Sequence, residues 1–543
     1  MRYGFVIDQR KCIGCHACTV ACKSEHEVPV GVFRTWVKYV ESGEFPHARR
    51  HFSVLRCNHC EAAPCVTACP TKALFKRPDG IVDFDNRRCI GCKACKQACP
   101  YDALYIDPVS HTAAKCNYCA HRVDQGLLPA CVVVCPEKAI IAGDIDDPTS
   151  EIHELLGREP TSVRKPEQGT KPKVFYIGAE DAALTPEALA RGQAYMWSEL
   201  RGDEANYVNG IDAHTLCAVP YVPFAIDNAA DGVAPASASA RAAAADPALA
   251  LPGAPRVAYD VPHPQPWGWK VSTYLWTKSI GAGALGVAAA LLLAGWGADD
   301  DLLRLAAPLL GLLGIALTAL LLVADLKRPE RFWFLLTKPN FTSWLVWGGY
   351  ALGAFGALAT LWLLAGVVDA GSGWRVLGVA GLPLAALAAG YTAFLFGQAE
   401  GRDFWQSPLL LPHLLTQATI AGTGALALAA ITIGVSVALP VVLAWLLLGA
   451  LAADALLLYA ELGSRHPTTH IARAAATLTR GRNARLFWVG AVALGLLVPL
   501  ALTTIFLAGG PLSALGVAAG LALLGLLAWE HAWVRAGQAV PLS

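Results

Sequence analysis

The chain has 543 residues, 55% of them hydrophobic, and a formal net charge of +1. Such a balance of 43 basic against 42 acidic residues lacks the basic excess typical of nucleic-acid-binding proteins, so we expect no nucleic acid as a partner. The charges are concentrated in residues 1–145, whereas residues 272–535 are rich in Leu, Ala and Gly and carry few charges. The composition therefore predicts a polar N-terminal part joined to a membrane part.

Sixteen of the seventeen cysteines lie before residue 136, in four sets of four. Sets one and three have the spacing C-x2-C-x2-C-x3-C of bacterial two-cluster ferredoxins, while sets two and four lengthen one gap. Pro70, Pro100 and Pro136 follow the last cysteine of sets two, three and four. Sixteen thiolates match four [4Fe–4S] clusters. The sets are Cys12, Cys15, Cys18, Cys22; Cys57, Cys60, Cys65, Cys69; Cys89, Cys92, Cys95, Cys99; and Cys116, Cys119, Cys131, Cys135.

The fourth cysteine of each set is expected to cross to the other cluster of a pair, as in two-cluster ferredoxins. This rule predicts two ferredoxin units, one nested in the other. Structural zinc is disfavoured because it takes two well-separated pairs of thiolates, and disulfides because the spacing is tight and no secretory signal is visible. The expected ligands are Cys12, Cys15, Cys18, Cys135 (cluster 1); Cys57, Cys60, Cys65, Cys99 (cluster 2); Cys89, Cys92, Cys95, Cys69 (cluster 3); and Cys116, Cys119, Cys131, Cys22 (cluster 4).

Cys217 lies outside every set, and we expect it to be an inert thiol. Residues 1–145 are predicted to form the iron–sulfur domain, and residues 146–227 an extension that packs on it or on a partner. The Ala/Pro/Ser-rich stretch within residues 228–265 predicts a linker, and residues 266–543 a membrane domain. The fold class expected is an α+β bis-ferredoxin domain followed by an all-α bundle of eight transmembrane helices.

The C-terminal half contains eight apolar runs, each long enough to cross a bilayer as a helix of roughly 20 residues. Buried helices of a soluble domain are disfavoured because the runs recur without an amphipathic face. In the first run, Gly281 and Gly283 would allow close helix approach or leave room for a flat ring. The runs cover about 272–297, 305–324, 343–366, 375–397, 408–433, 438–462, 485–508 and 511–534.

Eight spans put both ends of the membrane domain on one side of the bilayer. The opposite side carries only Arg304 and Arg375, with the acidic run at residues 299–301. By the positive-inside rule, the iron–sulfur domain is expected to face the cytoplasm from the inner membrane, and no export leader is visible. A competing interpretation is that the basic loops bind the iron–sulfur domain or a quinone. The basic residues on the first side are Lys327, Arg328, Arg331, Lys338, Arg402, Arg465, Arg473, Arg480, Arg482, Arg485 and Arg535.

Through its four cysteine sets, the stretch 3–145 resembles the four-cluster electron-transfer subunits of membrane-bound molybdopterin oxidoreductases, such as polysulfide and dimethyl sulfoxide reductases. The stretch 265–543 resembles the NrfD/polysulfide reductase membrane subunit. These subunits are normally separate chains, and here they look fused. The second resemblance rests on Asp325–Trp333 with Pro339–Ser343, on Gly390–Thr392, and on Ala536–Ser543.

The resemblance implies a separate catalytic subunit with a molybdenum or tungsten pterin cofactor. This chain would relay electrons between that subunit and a membrane quinone, menaquinone or ubiquinone, and would carry only the quinone half-reaction. No pterin-binding domain or haem motif is visible in the chain itself. A second hypothesis is a redox adaptor of a hydrogenase or respiratory supercomplex without a pterin partner. A transporter with an iron–sulfur sensor is disfavoured, because a sensor needs only one cluster.

Ionisable residues inside membrane spans are functional candidates, because burying them in lipid is costly. Each has a structural alternative: Lys278 could extend to the interface, Asp325 could pair with Arg328 or Arg331, and His413 could cap its helix. Tyr391 could be a satisfied interfacial phenol. The candidates for the quinone site are Lys278, Asp325, Tyr391, His413 and Gln417, and those for a proton path are Asp454 and Glu461.

Overall fold

The computed structural model describes residues 1–185, 190–191, 255–296, 300–368, 373–434 and 438–543. They form two units. Unit 1 comprises Met1–Pro266 with Ala399–Arg402 and Val540–Ser543, and unit 2 comprises Trp267–Gln398 with Asp403–Ala539. Most of the predicted linker, up to residue 254, lies outside the described residues, as do Cys217 and Asp299.

Unit 1 contains two four-stranded sheets and two hairpins. The first sheet has the order β8 (Ile140–Asp144), β1 (Tyr3–Asp8), β10 (Val174–Ile177), β9 (Thr161–Ser162). The second has the order β11 (Ala190–Arg191), β12 (Arg256–Tyr259), β2 (Thr35–Ser42), β3 (Arg49–Arg56). The hairpins pair β4 (Leu74–Lys76) with β5 (Val82–Phe84), and β6 (Leu104–Ile106) with β7 (Ala113–Lys115).

Short helices bring the cysteines into the core of unit 1. Most cysteines are themselves buried and pack with strand side chains such as Leu74, Val82 and Leu104 in one cluster, and Phe5 and Ile140 in another. Helices α1, α2, α3 and α5 each carry at least one cysteine. The helices are α1 (Ala17–Glu25), α2 (Pro64–Ala68), α3 (Ala94–Ala98), α4 (Ala120–Val123), α5 (Ala130–Val133), α6 (Glu151–Arg158) and α7 (Asp181–Leu184).

The predicted domain boundary at residue 145 falls inside unit 1. Strand β10 pairs in parallel with β1 along four residues, from Phe5 opposite Val174 to Asp8 opposite Ile177, so residues beyond 145 complete the first sheet. Strand β12, placed in the predicted linker, pairs with β2 in the second sheet. Both strands bury apolar side chains, which explains why they fold with the iron–sulfur domain rather than extend from it.

Unit 2 contains eight helices long and apolar enough to cross a membrane, within the described part of the chain, which confirms the eight predicted runs. The largest difference in bounds is at the end of span 8, at residue 539 rather than 534. The short helix Thr469–Thr479 lies between spans 6 and 7. Spans 1 to 8 are Trp269–Leu293, Leu302–Asp325, Trp344–Val367, Gly373–Gly397, Leu410–Ile433, Ala438–Gly463, Leu486–Leu507 and Leu512–Ala539.

Span 1 is the central helix of unit 2 and packs against spans 2, 4, 5 and 8. Its glycines permit this: a Cβ on Gly281 would lie 3.0 Å from the carbonyl oxygen of Gly311, and one on Gly283 would collide with the backbone of Ala418. The helices therefore approach each other closely at these glycines, as predicted, because small residues allow neighbouring backbones to come into contact.

Candidate functional site

The cysteines of unit 1 come together in four groups, each combining three cysteines of one set with one of another. Two groups line hollows: Cys12, Cys15, Cys18 and Cys135 in one, and Cys69, Cys89, Cys92 and Cys95 in the other. In the remaining groups, Cys65 interacts electrostatically with Cys57, Cys60 and Cys99, and Cys22 with Cys116, Cys119 and Cys131. The cysteine spacing led us to expect the same four groups, and their ligation of clusters stays a prediction.

Sets one and three share a loop geometry that curls the backbone around the sulfurs. Gly14 and His16 have φ angles of 70° and 60°, and Gly91 and Lys93 have φ angles of 69° and 65°. Left-handed residues at alternate positions turn successive N–H groups toward one point, which creates an anion-binding concavity. In the third set, the Gly91 N–H donates to Cys89 Sγ at 3.4 Å.

Further donors reach the sulfurs from neighbouring segments. The N–H groups of Ala113 and Leu74 donate to Cys89 Sγ at 3.3 Å and to Cys69 Sγ at 3.4 Å. The N–H of Ala139 donates to Cys135 Sγ at 3.2 Å. Hydrogen bonds to ligand sulfurs raise the reduction potential of an iron–sulfur cluster by offsetting its negative charge. The N–H donors that contact the cysteine sulfurs therefore differ from one group to another.

Burial makes these thiols hard to ionise without a positive partner. It raises the pKa of Cys60 to about 12 and that of Cys116 to about 12. Four buried thiolates can lie together only around a strong positive charge, and a metal bound to a thiol removes its proton outright. The buried four-sulfur groups, with N–H donors directed at them, fit [4Fe–4S] clusters.

In unit 2, Lys278 is fully buried and does not extend to the interface as the structural alternative supposed. Its Nζ donates to the carbonyl oxygen of Ala389 at 2.7 Å and lies 2.5 Å from Thr392 Oγ1. It also lies 5.5 Å from the centre of the Tyr391 ring. The ring of Tyr391 occupies space left by Gly348, where a Cβ would collide with it. Two candidates, Lys278 and Tyr391, thus lie together.

His413 lies between the two carboxylates predicted for a proton path. Its Nδ1 is 3.2 Å from Glu461 Oε2, and its Nε2 is 3.1 Å from Asp454 Oδ1. The distance between His413 and Asp454 is short enough for an ion pair, although the angles are outside those of a hydrogen bond. The ring of His413 also lies 5.3 Å from that of Trp529. The histidine pairs with acidic side chains rather than capping its helix.

Glu530 in span 8 is absent from the candidates drawn from the sequence, although it lies inside the predicted run 511–534. The residue is 2% exposed, and neither carboxyl oxygen has a hydrogen-bond partner within the described part of the chain. Its charge interacts with those of Lys278 and His413. Glu530 is therefore near enough to both candidate groups for its charge to act on them. An acidic residue in the apolar sequence Ala-Trp-Glu-His-Ala-Trp was the signal available in the sequence.

The remaining candidates flank this arrangement. Gln417 is buried one helical turn after His413. Tyr274 of span 1, one helical turn before Lys278, is also buried. Asp325 itself ends span 2 and is only partly buried, so the structure places it at the edge of the arrangement.

These side chains lie at similar depths below one face of unit 2. Lys278 follows the start of span 1 by nine residues, His413 follows the start of span 5 by three, and Glu530 precedes the end of span 8 by nine. At 1.5 Å per helical residue, they lie roughly 5–14 Å below the helix ends. Odd-numbered spans start and even-numbered spans end on this face, so all of them belong to one side of the bundle.

The fold and the site together define a membrane-spanning iron–sulfur protein in which a ferredoxin-type electron-transfer subunit is fused to a polytopic membrane subunit. Two 4Fe-4S dicluster domains match residues 11–74 and 49–145. The family described as "Polysulphide reductase, NrfD" matches residues 259–541, more than half of the chain. The chain belongs to this family.

Curated relatives match the N-terminal part of the chain. One subunit of the tetrathionate reductase of Salmonella typhimurium is 49% identical over 203 residues, which are 37% of this chain and 81% of the relative. Protein NrfC of Escherichia coli K12 is 46% identical over 180 residues, 33% of this chain and 81% of the relative. One subunit of the polysulfide reductase of Wolinella succinogenes is 44% identical over 179 residues, 32% of this chain and 94% of the relative. The chain is thus an iron–sulfur electron-transfer subunit fused to an NrfD-like membrane subunit.

Proposed function

We propose that this chain passes electrons between a membrane quinone, menaquinone or ubiquinone, and a separate molybdopterin-containing catalytic subunit. The observation that carries the proposal is the presence in one chain of four cysteine groups, most of their members buried, and a buried ionisable arrangement inside membrane spans. Four [4Fe–4S] clusters, when bound, supply one-electron carriers. The sixteen cysteines would hold them in the four groups described above.

Quinone chemistry sets what unit 2 must provide. Interconversion of a quinone and its quinol moves two electrons and two protons, so the site needs hydrogen-bonding groups for two carbonyl oxygens and groups that exchange protons. Lys278, Tyr391 and Gln417 supply buried donors, and Glu530 supplies a carboxyl that accepts no hydrogen bond from the described residues. The apolar helices around them exclude water. We assign the quinone half-reaction to this arrangement.

A proton path would start at Glu530, within the proposed quinone site. Glu530 interacts with His413, and His413 contacts both Asp454 and Glu461. Glu461 lies two residues from the end of span 6, so this order of groups leads from the buried carboxyl toward the face of the bundle. Protons taken up or released with the quinone would follow it. Asp325 is a less favoured candidate for the quinone site because it lies at the edge of the buried arrangement.

The iron–sulfur domain is proposed to face the cytoplasm, from the inner membrane. Span 1 starts at Trp269, three residues after Pro266, where the first segment of unit 1 ends. The loops of unit 2 on the face where span 1 starts carry the basic residues named above, which favours the cytoplasmic side. A cysteine placed in the loop near Lys338 should react with a membrane-impermeant maleimide only in inverted vesicles. Labelling in intact spheroplasts would reverse the assignment.

The identity of the catalytic partner is tested by isolating the complex. The relatives are named as subunits of tetrathionate and polysulfide reductases, which supports a reductase partner. Affinity-tagged full-length chain, purified from native membranes in mild detergent, should bring down a subunit that contains molybdenum or tungsten by elemental analysis. A nickel-containing partner would instead favour the hydrogenase adaptor, and the proposed partner would then be wrong.

A further inference from the structure

Arg56, the last residue of strand β3, is a buried cation that has no acidic partner in the described part of the chain. It is 1% exposed, and its Nη1 donates to Cys131 Sγ at 3.2 Å. The guanidinium carbon lies 4.5 Å from the centre of the Phe5 ring. Nε and Nη2 have no hydrogen-bond partner among the described residues. The charges that act on Arg56 most strongly are those of Cys131, Cys116 and Cys18.

A guanidinium in this position is unfavourable unless an anion compensates it. Arginine carries five N–H donors in a rigid fork, and burying that charge unpaired costs several kcal/mol. The sulfurs around it belong to two of the four groups: Cys116 and Cys131 to cluster 4, and Cys18 to cluster 1. A cubane cluster with four thiolate ligands has a net negative charge, which grows by one when it takes up an electron. A cation beside it therefore stabilises the reduced state more than the oxidised state.

We propose that Arg56 is the counter-charge of cluster 4, that its free N–H groups donate to the sulfur atoms of that cluster, and that it raises the cluster's reduction potential. Cluster 1, through Cys18, receives a smaller part of the same effect. The inference rests on the proposed ligand groups of clusters 1 and 4, but not on the quinone site or on the catalytic partner. It makes Arg56 a residue that sets the order of potentials along the chain's electron carriers.

The test is a redox titration of the full-length chain in detergent, with dithionite as the electron donor and EPR as the readout. Arg56→Gln should move one cluster to a lower potential. At a fixed potential its ratio of reduced to oxidised protein should fall about tenfold, or about 59 mV for one electron. Arg56→Lys keeps the charge and should fall less. Arg164→Gln is the matched control, because Arg164 is equally buried and also has two nitrogens without a hydrogen-bond partner among the described residues, but it donates to the Leu542 carbonyl at 3.1 Å rather than to a cysteine sulfur. It should leave the potentials unchanged.

A wild-type iron content in Arg56→Gln with every ratio within twofold of wild type would overturn the proposal. If that variant loses iron, the wild-type chain decides the matter after labelling with arginine enriched in nitrogen-15 at the guanidinium group. Pulsed EPR on the reduced clusters should then show a nitrogen-15 coupling that persists in Arg164→Gln and disappears in Arg56→Lys. No such coupling in the wild type would contradict the hydrogen bonds to the cluster.

Discussion

Replacing Glu530 by Gln removes a buried carboxyl whose charge acts on both Lys278 and His413, and we expect quinol oxidation to fail while the fold is kept. Neither oxygen of Glu530 accepts a hydrogen bond from the described residues, so the amide breaks no existing bond and has nearly the same size. A positioned acid or base contributes a factor of about 100 to 10,000 to a rate. The loss should therefore be at least about 100-fold, or about 2.7 kcal/mol in the barrier.

The assay mixes purified full-length chain with an excess of a short-chain quinol and follows cluster reduction by rapid-freeze EPR. Dithionite, which bypasses the quinone, should reduce the Gln variant as completely as wild type. Glu330→Gln is the control, because Glu330 is an exposed loop carboxylate paired with Arg328 at 3.3 Å, and its rate should not change. A Glu530→Gln rate within threefold of wild type would refute a proton-exchanging role for this residue.

Other substitutions test separate parts of the account. Cys135→Ser should lower the iron content and change the EPR signal of cluster 1, whereas Cys217→Ser, outside all four sets, should leave both as in wild type. His413→Gln should slow quinol-dependent reduction at least tenfold, since it removes the imidazole that is proposed to exchange protons between Glu530 and the carboxylates of Asp454 and Glu461. An unchanged rate would contradict the proposed order of groups in the proton path. Arg402→Gln should lower the thermal midpoint of unit 1, measured by differential scanning calorimetry. Arg402 is buried, and its Nε donates to Gln97 Oε1 at 2.9 Å and its Nη1 to the Val540 carbonyl oxygen at 2.8 Å. An unchanged midpoint would show that these hydrogen bonds are dispensable.

The cysteine groups and the membrane spans were accessible from the sequence because each depends on a local pattern. Ligand spacing such as that from Cys12 to Cys18 fixes which sulfurs can reach one cluster, and the length of an apolar run fixes whether it can span a bilayer. The crossing of Cys135 to the first group follows from the ferredoxin rule rather than from distance along the chain. The eight spans differ from the predicted runs by at most the five residues at the end of span 8.

What the sequence did not reveal depends on contacts between distant segments. His413 meets Asp454 and Glu461 only because spans 5 and 6 pack at one register, and no periodicity within a single span encodes that. Glu530 became a candidate because its buried carboxyl oxygens have no hydrogen-bond partner among the described residues, and only the packed structure shows this. The sequence left open, for the same reason, whether residues 146–227 pack on the iron–sulfur domain or on a partner, since β10 joins its sheet through a parallel pairing with β1, far away in the chain.

The measurement that tests the central claim most directly is quinol-dependent reduction of the clusters in the isolated full-length chain. We expect about sixteen iron atoms per chain, four for each of four clusters, and clusters that are reduced by quinol without any partner subunit. An unfused unit 1, if it retains its iron, should respond to dithionite but not to quinol. An iron content near half of that value, or clusters in the intact chain that quinol never reduces while dithionite does, would contradict the account.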